Sequence, residues 1–150
     1  MKYILTIVFA AAIIASAVGQ GVSGIYLTVQ CAKKSEKFTV TVSNKQICIA
    51  QNPIIPINEF TSVSDVMEVG DKLYFDLTLS NKAIQMMAQL QKNLPEAIFA
   101  FKIQDNVFST FPASDLAVNR TFRFQGNTKH RSMFAEAQKN LKTLIESRTQ

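Results

Sequence analysis

Histidine, cysteine and tryptophan are scarce in this sequence. Its 150 residues include one histidine and two cysteines, and tryptophan is absent. His130 has no cysteine or carboxylate cluster beside it, so we predict neither a metal site nor a general base with an orienting partner. Cys31 and Cys48 are too far apart for a C-x-x-C redox motif. We therefore predict no metal ion and no cofactor.

The sequence also lacks enzyme motifs. Its carboxylates are scattered and form no close pair that would divide acid and base roles. It contains no G-x-S-x-G elbow, no phosphate-binding loop and no dinucleotide fingerprint. We predict that the protein is not an enzyme and has no catalytic residue. Loss of a turnover on replacing His130 by alanine would instead support an enzyme.

Long hydrophobic runs are confined to the N-terminus. Within residues 1–19, Lys2 precedes an apolar run, and small residues follow it. This arrangement is typical of a secretory signal peptide, and the run is too short for a stable membrane span. We predict cleavage before Gln20, with cleavage after Ala17 as the close alternative and an uncleaved anchor as a less favoured one. Residues 20–150 then form one secreted domain without a transmembrane segment.

Positive charge is in moderate excess. The net charge is +5 at pH 7 and becomes +4 when Lys2 is removed. Most of the excess lies after residue 120 and predicts a weak attraction to acidic surfaces, although a solvated helix face is the favoured interpretation. We predict no nucleic-acid partner, because the basic residues are not dense and the aromatic residues take core-facing strand positions.

The second half of the chain has the clearest periodicity. Lys72–Leu79 alternates apolar and polar residues, which predicts a half-buried strand. Ser80 is a candidate N-cap for the following helix, whose apolar stripe continues until Pro95. The remaining predicted elements are strands over 97–104 and 107–111 around a turn at Asp105-Asn106, a strand over 121–125, and a helix over 129–147 capped by Thr128.

The first half is predicted to be rich in strands. Strands over 25–31, 38–43 and 46–50 are predicted to form a local hairpin or meander. The prolines at 53 and 56 predict an extended connector that places Ile54 and Ile55 on the core. Residues 59–69 predict a strand that turns at Gly70-Asp71 into the strand Lys72–Leu79.

These elements predict an α+β fold. Each helix is apolar on one face only, and tight turns join most of the strands. A two-layer sandwich follows, with a mostly antiparallel sheet and both amphipathic helices on one face. The order of elements after residue 72 is that of a ferredoxin-like fold with one additional strand, which the hairpin at Asp105-Asn106 contributes.

The sequence leaves the pairing of Cys31 and Cys48 open. Secretion and an even number of cysteines favour a disulfide, which would add roughly 3 kcal/mol of stability. In a simple meander, however, the two cysteines lie on strands that are not opposite each other. Free cysteine also occurs as a small hydrophobic residue in apolar strands.

Several stretches are similar to a known family. They are QICIA at 46–50, NPII at 52–55, EFTSV at 59–63, KLYFDLTLS at 72–80, IFAFKI at 98–103, VFS at 107–109 with Pro112, and FRFQG at 122–126. With the final helix, they resemble the periplasmic head subdomain of SecD, a subunit of the bacterial protein-export machinery. The membrane segments of that family are missing here, and residues 116–120 carry less glycine than the family has before its closing strand.

The resemblance implies a SecD-head-like fold, secretion across the inner membrane to a periplasmic or extracellular location, and a polypeptide-binding surface. It does not carry over proton-driven export. We predict a non-enzymatic extracytoplasmic binding module that contacts polypeptides or envelope proteins. The alternative is a structural or accessory subunit of an envelope or protein-export complex.

The predicted contact surface lies on strand faces that point away from the core. Tyr74 and Thr78 occupy this side of one strand, and Lys102 occupies the matching side of another. Extended peptides add to exposed sheet faces and edges of this kind. The alternative is that the N-terminal strands cover this face. For an accessory subunit, the predicted docking surface is the basic side of the final helix, at Lys139 and Lys142.

Overall fold

The computed structural model describes residues 22–33, 36–116 and 120–148. The predicted signal peptide, residues 1–19, lies outside the described residues. Two α-helices are found, α1 (Asn81–Asn93) and α2 (Arg131–Glu146). The strands are β1 (Gly24–Val29), β2 (Lys37–Thr39), β3 (Gln46–Ile49), β4 (Ile55–Pro56), β5 (Phe60–Val63), β6 (Met67–Val69), β7 (Lys72–Leu79), β8 (Ile98–Ile103), β9 (Asn106–Pro112) and β10 (Thr121–Asn127).

The strands pair antiparallel and form two sheets. In the first sheet the order is β2-β3-β1-β8-β9, and the short β4 also pairs with β1. In the second sheet the order is β10-β7-β5, and β6 also pairs with β7. The predicted α+β class, with antiparallel strands and two helices, is confirmed. The single sheet that we predicted is replaced by two.

The signals around β7 produce the predicted local structure. β7 buries every second side chain, as its alternation requires. The Oγ of Ser80 accepts a hydrogen bond from the N–H of Ala83 at 3.0 Å and caps α1. The helix ends at Asn93, two residues before Pro95, which cannot continue it. The predicted strand, cap and helix are confirmed here.

The main core lies between the two sheets and is rich in phenylalanine. Phe75 and Phe124 of the second sheet stack with their ring centroids 5.0 Å apart. Phe124 also contacts Phe101 of the first sheet, with a centroid distance of 4.6 Å. The helices complete this core with Phe134 from α2 and Met87 from α1. Burial of these large apolar side chains supplies much of the favourable free energy of folding.

The first sheet curls until its two outermost strands meet. The N–H groups of Thr41 and Val42, just after β2, donate hydrogen bonds to the carbonyls of Val107 and Phe108 in β9. This closure encloses a second, smaller core, so β8 is buried on both faces. The members of the second core are Val40, Ala100 and Val107, with Phe38, Ile47 and Ile49 packed against them.

A bulge in β9 allows this strand to contribute side chains to both cores. The register with β8 shifts between Phe101 and Lys102, which leaves Phe108 as an extra residue of β9. In a regular strand, Phe108 and Phe111 would point to opposite faces because they are three residues apart. With the bulge, both side chains enter the main core.

Two predicted boundaries in the second half of the chain are wrong. The β8–β9 turn is Gln104-Asp105 instead of Asp105-Asn106, because Ile103 pairs with Asn106 and Gln104 takes the positive φ of 53°. The final helix begins at Arg131. It follows a 3₁₀ turn in which the side chain of Asn127, and not of Thr128, accepts the hydrogen bond from the N–H of Lys129.

The predicted strand over 59–69 is interrupted. Its two parts, β5 and β6, pair with the same side of β7 and are separated by residues 64–66. Ser64 fills the gap, because its Oγ accepts a hydrogen bond from the N–H of Asp76 and its own N–H donates to the carbonyl of Asp76. The turn at Gly70-Asp71 and the contact of Ile55 with the core are as predicted.

The first three strands do not form a meander, but β2 and β3 form the hairpin that was the other predicted arrangement. β3 lies between β2 and β1, so Val29 of β1 is directly opposite Cys48 of β3. Cys31, two residues beyond Val29, is joined to Cys48 by a disulfide, with the two Cα atoms 5.3 Å apart. The argument against a disulfide assumed a meander. It no longer applies, because the observed strand order places β3 beside β1.

Candidate functional site

One side of the second sheet is not covered by the core. The odd-numbered residues of β7 are buried, and its even-numbered residues point the opposite way. In β10 the phenylalanines point inward and the polar residues outward. We call this uncovered side the outer face. Its side chains are Met67 and Val69 of β6, Lys72, Tyr74, Asp76 and Thr78 of β7, and Thr121, Arg123, Gln125 and Asn127 of β10.

A charged and aromatic cluster lies at the centre of the outer face. The Nε and Nη2 of Arg123 donate hydrogen bonds to the two carboxylate oxygens of Asp76, each at 2.8 Å. The guanidinium of Arg123 lies 5.6 Å from the ring centroid of Tyr74. These hydrogen bonds lower the pKa of Asp76 and raise the pKa of Arg123. Arg123 is therefore held flat against the sheet by two neighbours.

Apolar side chains extend this cluster across β6. Met67 lies directly opposite Tyr74, and Val69 lies opposite Lys72. Met67 is 42% exposed and Val69 is 67% exposed. Tyrosine, methionine and arginine are enriched at the centres of protein interfaces, where they provide large contact areas. The outer face thus combines these three residue types on one rigid sheet.

The sequence already indicates part of this cluster, although the predicted contact surface did not include Met67 or Arg123. The alternation in residues 121–125 places Arg123 outward, on the side opposite the phenylalanines. A two-residue turn at Gly70-Asp71 also requires Met67 to lie opposite Tyr74. The pairing of β10 with β7, which brings Arg123 to Asp76, has no local signal because 47 residues separate the two.

The structure separates Lys102 from the two other predicted contact residues. Tyr74 and Thr78 lie on the outer face of the second sheet, whereas Lys102 belongs to the first sheet and is only 9% exposed. Its Nζ lies 5.6 Å from the ring centroid of Tyr26 and 5.2 Å from that of Phe38. The N-terminal strands therefore cover Lys102, as the alternative interpretation anticipated. Burial prevents Lys102 from acting as a surface contact.

The predicted docking residues lie on α2. Lys139 is exposed, and Lys142 is partly exposed. The Nζ of Lys142 is 3.8 Å from a carboxylate oxygen of Asp65, which is a loose, solvent-accessible ion pair. Among the described residues Lys139 forms no ion pair, and the pair that Lys142 forms with Asp65 is loose enough for a partner to replace.

Metal-binding geometry does not appear among residues 22–33, 36–116 and 120–148. No group of three His, Cys, Asp or Glu side chains in these ranges could hold a metal ion. A cavity of about 220 Å³ between α2 and the β8–β9 hairpin is lined by Phe108 and Met133, with Glu136 as its one carboxylate. Among the same residues, no helix has both the length and the apolar character needed to cross a membrane.

Comparison of the chain with protein-family models, with curated proteins and with solved structures found no match.

Proposed function

We propose that this chain is a non-enzymatic extracytoplasmic binding module that contacts polypeptides or envelope proteins through the outer face of its second sheet. The observation that supports this most directly is the cluster of Met67 and Arg123, which are exposed, with the partly exposed Tyr74. The two hydrogen bonds from Arg123 to Asp76 orient its guanidinium on the outer face, which reduces the side-chain entropy that binding of a partner would cost. Tyr74 and Thr78, the two predicted contact residues that lie on this face, both belong to β7.

The resemblance to the SecD head subdomain is part of the same proposal. It anticipated a strand, a helix, a hairpin, a short proline-containing element, a closing strand and a final helix. The order β7-α1-β8-β9-β10-α2, with Pro112 at the end of β9, supports this. We propose a SecD-head-like, ferredoxin-related arrangement and a periplasmic or extracellular location. An export substrate in an extended state is then a natural class of ligand.

The experiment uses residues 20–150 as bait, because Gln20 is the predicted start of the secreted domain. The probes are a reduced, carboxymethylated globular protein and an envelope extract. The test variant is Met67→Ser/Tyr74→Ser, which removes two large side chains with apolar surface from the outer face and leaves Val69 in place. The matched control is Leu94→Ser/Ile98→Ser, since these side chains are 39% and 44% exposed and lie outside the outer face.

We expect the wild type and the control to capture the unfolded probe equally, and the test variant to bind about tenfold more weakly, which corresponds to about 1.4 kcal/mol. Equal capture by all three proteins would show that the outer face is not the site. Loss of binding only by the control variant would place the site at the end of α1 and the start of β8.

A second candidate is an accessory subunit of an envelope or protein-export complex that docks through α2. The exposed ammonium groups of Lys139 and Lys142 favour it, because a helix face with spare positive charge suits an acidic partner. The test is Lys139→Glu/Lys142→Glu in the same capture experiment. Loss of a small, defined set of envelope proteins, with capture of the unfolded probe unchanged, would favour this function over the first.

A further inference from the structure

β10 is an edge strand. It pairs with β7 over seven consecutive residues without a bulge. Between described residues, no backbone hydrogen bond reaches the other side of β10. Proteins usually block such an edge with proline, with a bulge or with a covering element, because its free backbone groups pair readily with another chain. Among the described residues, β10 contains no proline and no bulge, and no strand or helix pairs with its free edge.

The backbone groups at the free edge can be assigned to residues. The N–H of Leu79 donates to the carbonyl of Arg120, and the N–H of Thr128 donates to the carbonyl of Asp71. In an antiparallel pair, hydrogen-bonded residues alternate with residues whose N–H and C=O point away. The even-numbered residues of β10 therefore bond to β7. The backbone groups that point outward belong to the odd-numbered residues Thr121, Arg123, Gln125 and Asn127.

The other edge of the second sheet, formed by β5 and β6, is covered by α2. α2 packs along these two strands and forms an ion pair and a hydrogen bond with them and the residues between them. The Nη1 of Arg131 lies 2.6 Å from a carboxylate oxygen of Glu68, and the Nε2 of Gln138 donates to the carbonyl of Ser64 at 2.9 Å. In the first sheet, the outer strands β2 and β9 close on each other. The open edge of β10 thus contrasts with the protected edges elsewhere in the described structure.

The charges around this edge favour a partner with acidic side chains. Arg120 precedes β10, Lys129 follows it, and Lys72 lies opposite Asn127. No described acidic side chain forms an ion pair with any of these three cations. The carboxylate on the outer face, Asp76, is already engaged by Arg123. An added strand with acidic side chains would therefore meet uncompensated positive charge at both ends.

A second copy of the chain fits this edge poorly. Two antiparallel β10 strands centred on residue 124 would place Arg120 of one copy opposite Thr128 of the other, and so next to Lys129, at both ends of the pair. Like charges this close together on neighbouring strands repel each other. This repulsion favours a foreign acidic segment over self-association.

We propose that β10 binds an extended polypeptide segment with acidic side chains at alternate positions, which joins the second sheet as an added strand. The proposal rests on the polypeptide-binding function proposed above and specifies its edge, its geometry and its ligand charge. The segment makes main-chain hydrogen bonds to Thr121, Arg123 and Gln125. Its acidic side chains lie within reach of Arg120 at one end of β10 and of Lys72 and Lys129 at the other.

The test measures fluorescence anisotropy of labelled nine-residue peptides with residues 20–150 of the protein. The first peptide alternates glutamate and valine, and the second alternates lysine and valine. Two further glutamate peptides carry N-methyl groups on either the odd or the even residues. N-methylation removes a hydrogen-bond donor, and only one of the two sets faces β10 in an added strand.

We expect the glutamate peptide to bind at least tenfold more tightly than the lysine peptide. One N-methylated peptide should lose at least tenfold in affinity, and the other should bind like the parent. This pair of results cannot come from misfolding, because it uses the wild-type protein. Equal binding of both N-methylated peptides would overturn strand addition, and equal binding of the lysine peptide would overturn the choice of an acidic ligand.

Protein variants give a second test. Gln125→Pro removes an outward N–H, and Gln125→Ala removes the same side chain but keeps the N–H. Proline is tolerated on an edge strand when its nitrogen faces solvent. We expect at least tenfold weaker binding for Gln125→Pro and unchanged binding for Gln125→Ala. If Gln125→Pro binds normally while folded by circular dichroism, the edge is not the binding element.

The peptide assay and the capture assay together distinguish a failure of the β10 proposal from a failure of the proposed function. If no peptide binds but capture of the unfolded probe still depends on Met67 and Tyr74, the outer face binds polypeptides and the β10 proposal is wrong. If neither assay detects binding, both are wrong. A dimer at assay concentrations that Gln125→Pro abolishes would assign the edge to a second copy and would likewise overturn the proposal.

Discussion

Replacing Gly126 by alanine tests how tightly α2 is packed on β10. A Cβ atom added at Gly126 would lie 2.5 Å from Cε2 and 2.6 Å from Cδ2 of Phe134. Two carbon atoms in favourable contact are about 3.5–4 Å apart. The ring of Phe134 would have to move by about 1 Å, and it is almost fully buried between Phe75 and Phe108, at centroid distances of 4.9 and 5.6 Å.

The expected cost follows from two opposing terms. Overpacking of a well-packed core typically destabilises by about 1–3 kcal/mol. The lower entropy of the unfolded alanine variant offsets about 0.4–1 kcal/mol of this. We therefore expect Gly126→Ala to lower the free energy of unfolding by roughly 1–2 kcal/mol. With an unfolding entropy of about 2.1 cal/mol/K per residue, Tm should fall by about 4–8 °C.

The assay is urea unfolding of Gly126→Ala, Phe134→Leu and the double variant. Because the smaller leucine makes room for the new Cβ, the double variant should be more stable than the sum of the single effects, by at least about 0.5 kcal/mol. Gly70→Ala is the control, since it has no neighbour within 4 Å and its cost comes from a φ of 65°. Phe134→Leu should not relieve it. Additive effects at Gly126 and Phe134 would refute the steric explanation.

Three further predictions concern the second core, the disulfide and acid stability. Lys102→Met should leave the free energy of unfolding unchanged or raise it by up to about 2 kcal/mol in urea titrations, because it removes a buried charge that has no acidic partner among the described residues. A loss above about 2 kcal/mol would contradict this. Cys31→Ser/Cys48→Ser should cost roughly 3 kcal/mol by the same assay, and an unchanged midpoint would contradict it. Arg123 lowers the pKa of Asp76 in the folded state, so the stability that this carboxylate adds is present above about pH 4 and is lost as the pH falls further. Tm measured from pH 7 to 2.5 should therefore differ between wild type and Asp76→Asn at neutral pH and converge in acid, whereas a constant difference would contradict the role of the carboxylate.

Several features of the outer face could be predicted from sequence because their signals are local. The alternation within β7 separates Tyr74 and Thr78 from the core residues, and the Gly70-Asp71 turn sets the register with β6. The same local information placed Ser80 as the cap of α1. Side-chain periodicity and turn chemistry act over a few residues, so they do not depend on where the rest of the chain lies.

The main predictions that were wrong concern strand pairing, where segments far apart in sequence compete for the same neighbouring strand. The sequence does not say whether β2 or β3 should lie beside β1, and the choice of β3 brings Cys31 to Cys48. The curl of the first sheet buries Lys102, although its strand position alone suggested an exposed face. Both outcomes depend on strand pairing between residues far apart, which leaves no short-range signature.

The sequence by itself therefore determined the α+β class, the alternation of β7 and β10, and the two amphipathic helices, because each follows from local propensity and periodicity. Tertiary structure alone decided that the described strands form two sheets and that the bulge places the Phe108 side chain in the main core. It likewise decided that Arg123 forms hydrogen bonds with Asp76. It also decided which edge is open. An edge is defined by the absence of a neighbour, and neighbours are chosen by the packing of the whole chain.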